Sequence, residues 1–387
     1  MTTNLLHTIV LRSKLLEVLG VVEKSVGGEH TSLPILKHVL LRAQNEKLTL
    51  TTTDLELVIE YSLLCKVVRE GSFTVPFQVF YNIVKNLSSE RITLEQIAGS
   101  IDSPQHQTLH IITENYEANI HGQASDDFPI IPVLSEVRGE ITLPFSVFLE
   151  AMSQTSQATL YSDIRPEISG IHIQICDGEL AFAATDSFRL AERIIAVNSF
   201  TSSSRDVSLT IPIRTVSTMP KLLFEASTGE DGEIRISYDS TQILFLVPRG
   251  RVISRLVAGV FPDYRQIIPS GFKSEAFLDR LEFLNAVRTV SSLSGKGNDV
   301  LLEASGGKKF LEIKSSQGAL GENVYKMPAN IEGEGFELTF NWKYLLDGLK
   351  TFKGPEISLA IAGNDKPAML RSKGEHRLLY VVMPIRG

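Results

Sequence analysis

The stretch Leu180-Ala181-Phe182-Ala183-Ala184-Thr185-Asp186-Ser187-Phe188-Arg189-Leu190-Ala191-Glu192 constrains the fold more than any other, because its pattern occurs in the chain more than once. A short apolar run reads as a buried strand. Thr185-Asp186-Ser187 supplies a turn whose side chains can bond the nearby backbone, and a second strand returns beside the first. Arg189 and Leu190 are adjacent in that returning strand and so face opposite sides of it. Leu48-Thr49-Leu50-Thr51-Thr52-Thr53-Asp54-Leu55-Glu56 has the same form: strand, Thr-Asp, strand.

The events around this hairpin also recur in order. Phe73-Thr74-Val75-Pro76 is a strand closed by proline, and apolar residues at helical spacing follow over 77–87. Thr142-Leu143-Pro144 leads in the same way into a helix from Phe145, and Leu209-Thr210-Ile211-Pro212 into one through Met219. The pair Phe128-Pro129 ends the first round and Phe261-Pro262 the second. The last third repeats the scheme less faithfully: 277–293 is helical, Gln317-Gly318 stands where the Thr-Asp turn belongs, and Phe336-Glu337-Leu338-Thr339-Phe340 leads into a helix from Trp342. Landmarks thus return at roughly 130-residue spacing, a duplication of units each large enough for its own core. The expected fold is α+β, with three similar domains at 1–136, 137–271 and 272–387, joined by the short polar segments 135–138 and 270–273.

Composition bounds the function. The net charge of −7 and the isoelectric point near 5.7 argue against a surface that binds nucleic acid everywhere, while leaving room for a local basic face. Cys65 and Cys176 form no metal-ligand or redox spacing, and no apolar run reaches the ~20 residues that span a bilayer. The N-terminus lacks the pattern of a signal peptide, so the expected location is cytoplasmic, away from membranes. No cofactor or metal is expected: the eight histidines contain no HExxH pattern, and Ser294-Gly295-Lys296-Gly297 lacks the remaining residues of a phosphate loop. Asp54 and Asp186 read as turn formers. A hydrolase built on those turns stays as one alternative, and no catalytic residue is assigned.

Taken together, Leu33-Pro34-Ile35-Leu36, Thr53-Asp54-Leu55-Glu56, Thr185-Asp186 with Arg189-Leu190-Ala191, Phe261-Pro262-Asp263-Tyr264 and the terminal Tyr380-Val381-Val382-Met383-Pro384-Ile385-Arg386 resemble the bacterial DNA polymerase III beta subunit family, the sliding clamps. The resemblance covers essentially the whole chain. It implies a non-catalytic processivity factor: two three-domain protomers close head to tail into a homodimeric ring around duplex DNA, helices inside and antiparallel sheets outside. It implies as partners the replicative polymerase alpha subunit, the clamp loader and other proteins with clamp-binding motifs. A clamp-fold paralogue serving repair or resistance is the other alternative.

The resemblance also implies sites. A partner-peptide cleft would use Ile168, Thr185, Ser187, Phe188, Arg189, Leu190, Pro262, Ile267, Val381, Met383, Pro384, Ile385 and Arg386. Without the family, Leu190, Val381 and Met383 read as ordinary core. This chain departs from the family pattern at Gln266, Phe188 and Gly387. Cations on the helices, Lys14, Lys85, Arg165, Arg214, Lys221, Arg280, Lys343 and Lys350, would face DNA, although any single lysine on a helix reads equally as a solvated face. The family's aromatic DNA contacts of the second domain are replaced here by Pro166 and Glu167, and its early loop gains a residue near Glu29-His30. Ring closure would pair the strand 116–120, with Ala118 and Ile120, against the third domain near Ser292 and Leu293 of the second protomer.

Overall fold

The computed structural model describes residues 5–29, 31–97, 107–226, 232–305, 307, 309–318 and 320–385, with the backbone alone at 220–226. Among these residues there are six α-helices: α1 (Arg12–Val22), α2 (Phe77–Asn86), α3 (Phe145–Ser156), α4 (Ile213–Ala226), α5 (Arg280–Val290) and α6 (Trp342–Thr351). Every one begins at the residue after a strand, without a loop. Three of those strands end on Pro76, Pro144 and Pro212. Proline has no N–H to give a ladder and its fixed φ suits the entry to a helix, so one residue both stops the strand and starts the turn. In the last third the same position is taken by Asp279 and Asn341, whose side chains accept from the backbone N–H of Glu282 (2.8 Å) and Lys343 (3.0 Å). The repeat keeps the junction and changes the chemistry that makes it.

The chain forms two compact units, Met1–Phe145 with Ser217–Leu256, and Ser146–Val216 with Val257–Gly387. In the first, one antiparallel sheet runs Lys66–Arg69, His7–Leu11, Arg91–Ile97, Thr108–Ile112, Glu117–His121. A second brings Leu57–Leu64 against Gly250–Arg255, so strands from the first and second sequence repeats share one ladder. Leu48 and Leu50 of Lys47–Thr53 are fully buried, and α1 packs on this strand and on Leu57–Leu64 beside it.

The second unit is organised by a nine-stranded antiparallel sheet. In chain order its strands are β1 (Gly170–Cys176), β2 (Glu179–Thr185), β3 (Arg189–Ile195), β4 (Val207–Pro212), β5 (Ser274–Asp279), β6 (Asn330–Gly333), β7 (Glu356–Ile361), β8 (Ala368–Arg371) and β9 (Leu378–Val382). They lie in the order β4-β1-β2-β3-β9-β8-β7-β5-β6. Strands from the second and third repeats therefore meet at β3–β9, with Arg189 opposite Val382, Leu190 opposite Val381 and Glu192 opposite Leu379. A four-stranded sheet completes the unit.

The hairpin that dominates the sequence is the same object in both copies. Asp54 Oδ1 accepts from the N–H groups of Glu56 (3.0 Å) and Leu57 (2.8 Å), and Asp186 Oδ1 from those of Phe188 (3.0 Å) and Arg189 (3.1 Å). Thr53 and Thr185 hydroxyls accept from Leu55 and Ser187, which both sit in the left-handed region, at φ +78° and +79°. Neither is glycine, so the side-chain acceptors hold a conformation that the residues themselves disfavour. A second repeated device was not visible in the sequence. The Arg12 guanidinium donates to the carbonyls of Val84 (3.2 Å) and Lys85 (3.0 Å) at the end of α2, and Arg280 donates to Leu349 (3.5 Å) near the end of α6 and to Gly354 (2.8 Å) just beyond it. A cation there satisfies carbonyls that the helix leaves open. Replacing Asp54 by Ala removes both acceptor bonds at an αL turn and is expected to lower stability by about 1 kcal/mol; denaturant midpoints of the two proteins check it.

Candidate functional site: the seam between two repeats

The seam of β3 and β9 is closed from below by α6. Gly348 makes this possible: a Cβ there would fall 2.7 Å from ring atoms of Tyr380, so only glycine lets the helix lie on that ring. The fully buried Tyr380 donates its hydroxyl to the carbonyl of Tyr344 (3.0 Å). α6 thereby delivers Tyr344 and Asp347 to the start of β3. There Arg189, 8% exposed, is gripped by Asp186 (2.9 Å) and Asp347 (2.7 Å), and its guanidinium lies 4.5 Å from the Tyr344 ring centroid. Burial opposes the charge, but the buried phenol of Tyr380 and the two carboxylates outweigh it and hold Arg189 above its ordinary pKa. Both oxygens of Asp186 are thus occupied, one by the turn and one by Arg189, as befits a structural residue.

Above the seam, Leu190 and Val381 pack with Ile168, Ala183, Phe261, Tyr264 and Met369 in one apolar cluster. Leu190 and Val381 are fully buried and Ile168 nearly so; they make a floor. Thr185 is buried beside them and accepts from Ser187 while donating to the Arg189 carbonyl (2.6 Å). The surface that a ligand can reach is supplied by Phe188 (58% exposed), Ile267 (46%) and Ile385 (40%), with Pro262 and Met383 half-buried. Phe188 stacks on Tyr344 at 6.4 Å, and its carbonyl accepts from Met383 N–H (2.8 Å), which ties the chain leaving β9 to the hairpin. Pro384 is buried, and Ile385 N–H donates to the Thr339 carbonyl (2.8 Å). Arg386 and Gly387 lie outside the described residues. Thus the hairpin, the segment 261–268 and the chain after β9 converge on one apolar floor with an aromatic rim.

One wall carries residues that the sequence named only as a motif or a departure from it, together with His172, Glu192 and Arg265, to which it gave no role. In 261–268, Phe261 stacks on the buried His172 (4.5 Å, 7°), whose imidazole is held neutral, its pKa pushed down to about 4 by burial. Tyr264 donates its hydroxyl to the buried Glu192 (2.6 Å), with Arg265 3.9 Å from the same carboxylate oxygen. Gln266 bonds Asp263 (2.8 Å) within the segment. The charged pair Glu192-Arg193 between the apolar neighbours Leu190-Ala191 and Ile194-Ile195 was the available signal for Glu192.

The helix cations are placed separately. Lys14, Lys85, Arg214, Lys343 and Lys350 are exposed; Lys14 pairs with Glu17 (3.2 Å) and Lys350 with Asp347 (3.0 Å). Arg165, expected on a helix, lies beyond the end of α3 and just before the 3₁₀ turn Pro166–Ile168, where it bonds Glu167 (3.0 Å) and the Ser187 hydroxyl (2.8 Å). Arg280 is held on the carbonyls described above, and the side chain of Lys221 and residue His30 lie outside the described residues. Ala118 and Ile120 belong to Glu117–His121, which ends its sheet, and Leu293 closes a 3₁₀ turn after α5 with Ser292 exposed. No group of metal-ligating side chains occurs among the described residues, and no helix there is long and apolar enough to cross a membrane.

Sheets that join successive repeats edge to edge, each repeat with two helices, define a clamp-type architecture. Comparison with known proteins gives the family. The N-terminal, central and C-terminal domains of the DNA polymerase III beta subunit match residues 6–132, 142–263 and 265–386. The chain is 29% identical over 365 residues to the beta sliding clamps of Staphylococcus epidermidis and Staphylococcus aureus, covering 92% of this chain and 93% of each relative. Among solved structures it is similar to the DNA polymerase sliding clamp of Bacillus subtilis (TM-score 0.87, 26% identity, 99% and 100% of the two chains). It is also similar to a sliding clamp of Bartonella birtlesii bound to griselimycin (TM-score 0.89, 27% identity, 99% and 100%). The chain belongs to the DNA polymerase III beta subunit family, and its function is that of a DNA sliding clamp, an accessory factor that tethers the polymerase.

Burial raises the Glu192 pKa above the usual carboxylate range, against the opposing pull of Tyr264 and Arg265 and with Glu179 adding to the rise. A raised folded pKa means that stability present at low pH is lost as pH rises through it. Glu192→Gln is therefore expected to match the parent near pH 4 and to melt higher at pH 8, by on the order of a few °C; paired melting curves at the two pH values check it.

Proposed function

We propose that the chain works as a homodimeric ring of six domains, three per protomer at 1–136, 137–271 and 272–387, closed head to tail around duplex DNA in the cytoplasm. What supports the cleft reading is the buried apolar cluster of Leu190, Val381, Ile168, Phe261 and Tyr264, with the accessible apolar residues Phe188, Ile267 and Ile385 on the chain segments that adjoin it. An apolar floor of this kind suits the apolar anchors of a short peptide, and Met383, half-buried in the chain after β9, is a side chain that can repack around different anchors. Thr185, Ser187, Arg189, Pro262, Pro384 and Arg386 complete the cleft. Its ligands are segments of the replicative polymerase alpha subunit, of the clamp loader and of other proteins with clamp-binding motifs, and griselimycin belongs to the same site.

The proposed DNA-facing set is Lys14, Lys85, Arg214, Lys221, Lys343 and Lys350 on the helices, with Arg280, whose guanidinium also bonds helix-end carbonyls, and Arg165, which lies outside the α-helices. Cations on helices give the phosphate attraction that binding without sequence preference requires, and an acidic remainder keeps duplex from other faces. Ring closure uses the strand Glu117–His121, with Ala118 and Ile120, against the region of Ser292 and Leu293 in the second protomer. Among the described residues this strand stands last in its sheet, a place from which strands can pair with a second chain.

Two outcomes are expected. Met383→Ala weakens binding of a polymerase-derived peptide by about tenfold, the loss of roughly 1–2 kcal/mol of apolar contact, while the dimer mass in solution stays unchanged. Protein loaded on nicked circular DNA persists and is lost when that DNA is linearised; equal retention on both forms rules out the ring.

A further inference from the structure

The cleft has a floor and a wall of different construction. The floor is sheet, held by the β3–β9 ladder. The wall, 261–268, contains one 3₁₀ turn, Tyr264–Ile267, and a local bond from Ile268 N–H to the Arg265 carbonyl (3.2 Å). It is fastened to the sheet by side chains: Phe261 on His172, and Tyr264 through its hydroxyl to Glu192 (2.6 Å). The half-buried Pro262 and the exposed Ile267 lie between and beyond these fastenings. Glu192 sits two residues past Leu190 on β3, hence on the same face, and is 4% exposed.

A carboxylate in an apolar sheet face is unfavourable unless hydrogen-bonded. Here its partner is a phenol whose ring is itself part of the apolar cluster with Leu190 and Val381. The bond therefore fixes the height of the wall above the floor, and with it the positions of Pro262 and Ile267. Arg265, 3.9 Å from the carboxylate, keeps the charge balanced at the outer end.

We propose that Glu192 and Tyr264 are positioning residues of the peptide cleft: they touch no ligand, and their hydrogen bond sets the wall against which the ligand packs. The proposal rests on the cleft reading above. Its test uses the full chain, griselimycin as the probe, and three variants, Tyr264→Phe, Glu192→Ala and Glu192→Gln. Tyr264→Phe and Glu192→Ala should weaken griselimycin by about tenfold, while Glu192→Gln, which keeps an acceptor for the phenol, stays within about twofold of the parent. Amide hydrogen exchange in 261–268 should speed up in the first two variants and not in the third, with β3 and β9 unchanged.

Equal affinity and equal exchange in Tyr264→Phe and the parent overturn the proposal. So does lost affinity with unchanged exchange in the wall, or failure of Glu192→Gln to restore binding. If Glu192→Ala does not fold, Tyr264→Phe decides alone. If the parent itself does not bind griselimycin, that counts against the assignment of the ligand to this cleft, and the exchange measurement still decides whether the two residues position the wall.

Discussion

The second unit depends on a buried positive charge. Arg189 lies almost out of solvent at the point where strands from two sequence repeats pair, and such a charge is tolerable only with its partners in place. Asp186 comes from the turn immediately before it, and Asp347 from a helix 158 residues away in sequence. The guanidinium thus fixes three things together: the turn, the start of β3 and the seat of α6. Tyr344 arrives with that helix and carries Phe188 on its ring, so the exposed rim of the cleft is aligned by the same charge. A lysine could not replace it, since one ammonium cannot present the planar, forked set of donors that two carboxylates and a ring require.

Much of this was legible, and for physical reasons. Pro76, Pro144 and Pro212 announce strand-to-helix junctions because proline's backbone permits little else. Asp54 and Asp186 announce turns because their side chains can cap the local N–H groups, and the structure assigns them that work. The family resemblance added a candidate cleft, and of its residues Ile168, Leu190 and Val381 meet in one apolar cluster with no local pattern to connect them. What stayed hidden was non-local. Nothing in Gly250–Arg255 says that it pairs with Leu57–Leu64, and Arg280 reads as a plain helix cation until the carbonyls that it holds are seen.

The residues beneath the cleft illustrate the same limit. Tyr344 and Asp347 sit in a helix whose lysines drew attention for their charge, and Glu192 and Tyr264 are polar groups that packing conceals. A polar residue inside an apolar run is an incomplete statement: it predicts a partner without naming it. Glu192 finds a phenol, His172 a threonine hydroxyl (3.2 Å) and a stacked ring. Leu190 and Val381 are as buried as any core residue, which is how they read without the family resemblance.

The six junctions at which a helix begins on the residue after a strand bear on how such a chain can change length. A residue inserted there would rotate the helix by about 100° relative to its strand and turn its apolar stripe away from the sheet. The hairpin turns impose no such coupling, because a longer loop adds only a slowly growing entropic term. Insertions and deletions can therefore collect in the turns and in segments such as that around Glu29, while the strand-helix spacing behaves as a fixed gauge. The three repeats have diverged in residue identity far more than in their metric, as Asp279 and Asn341 standing in for proline attest.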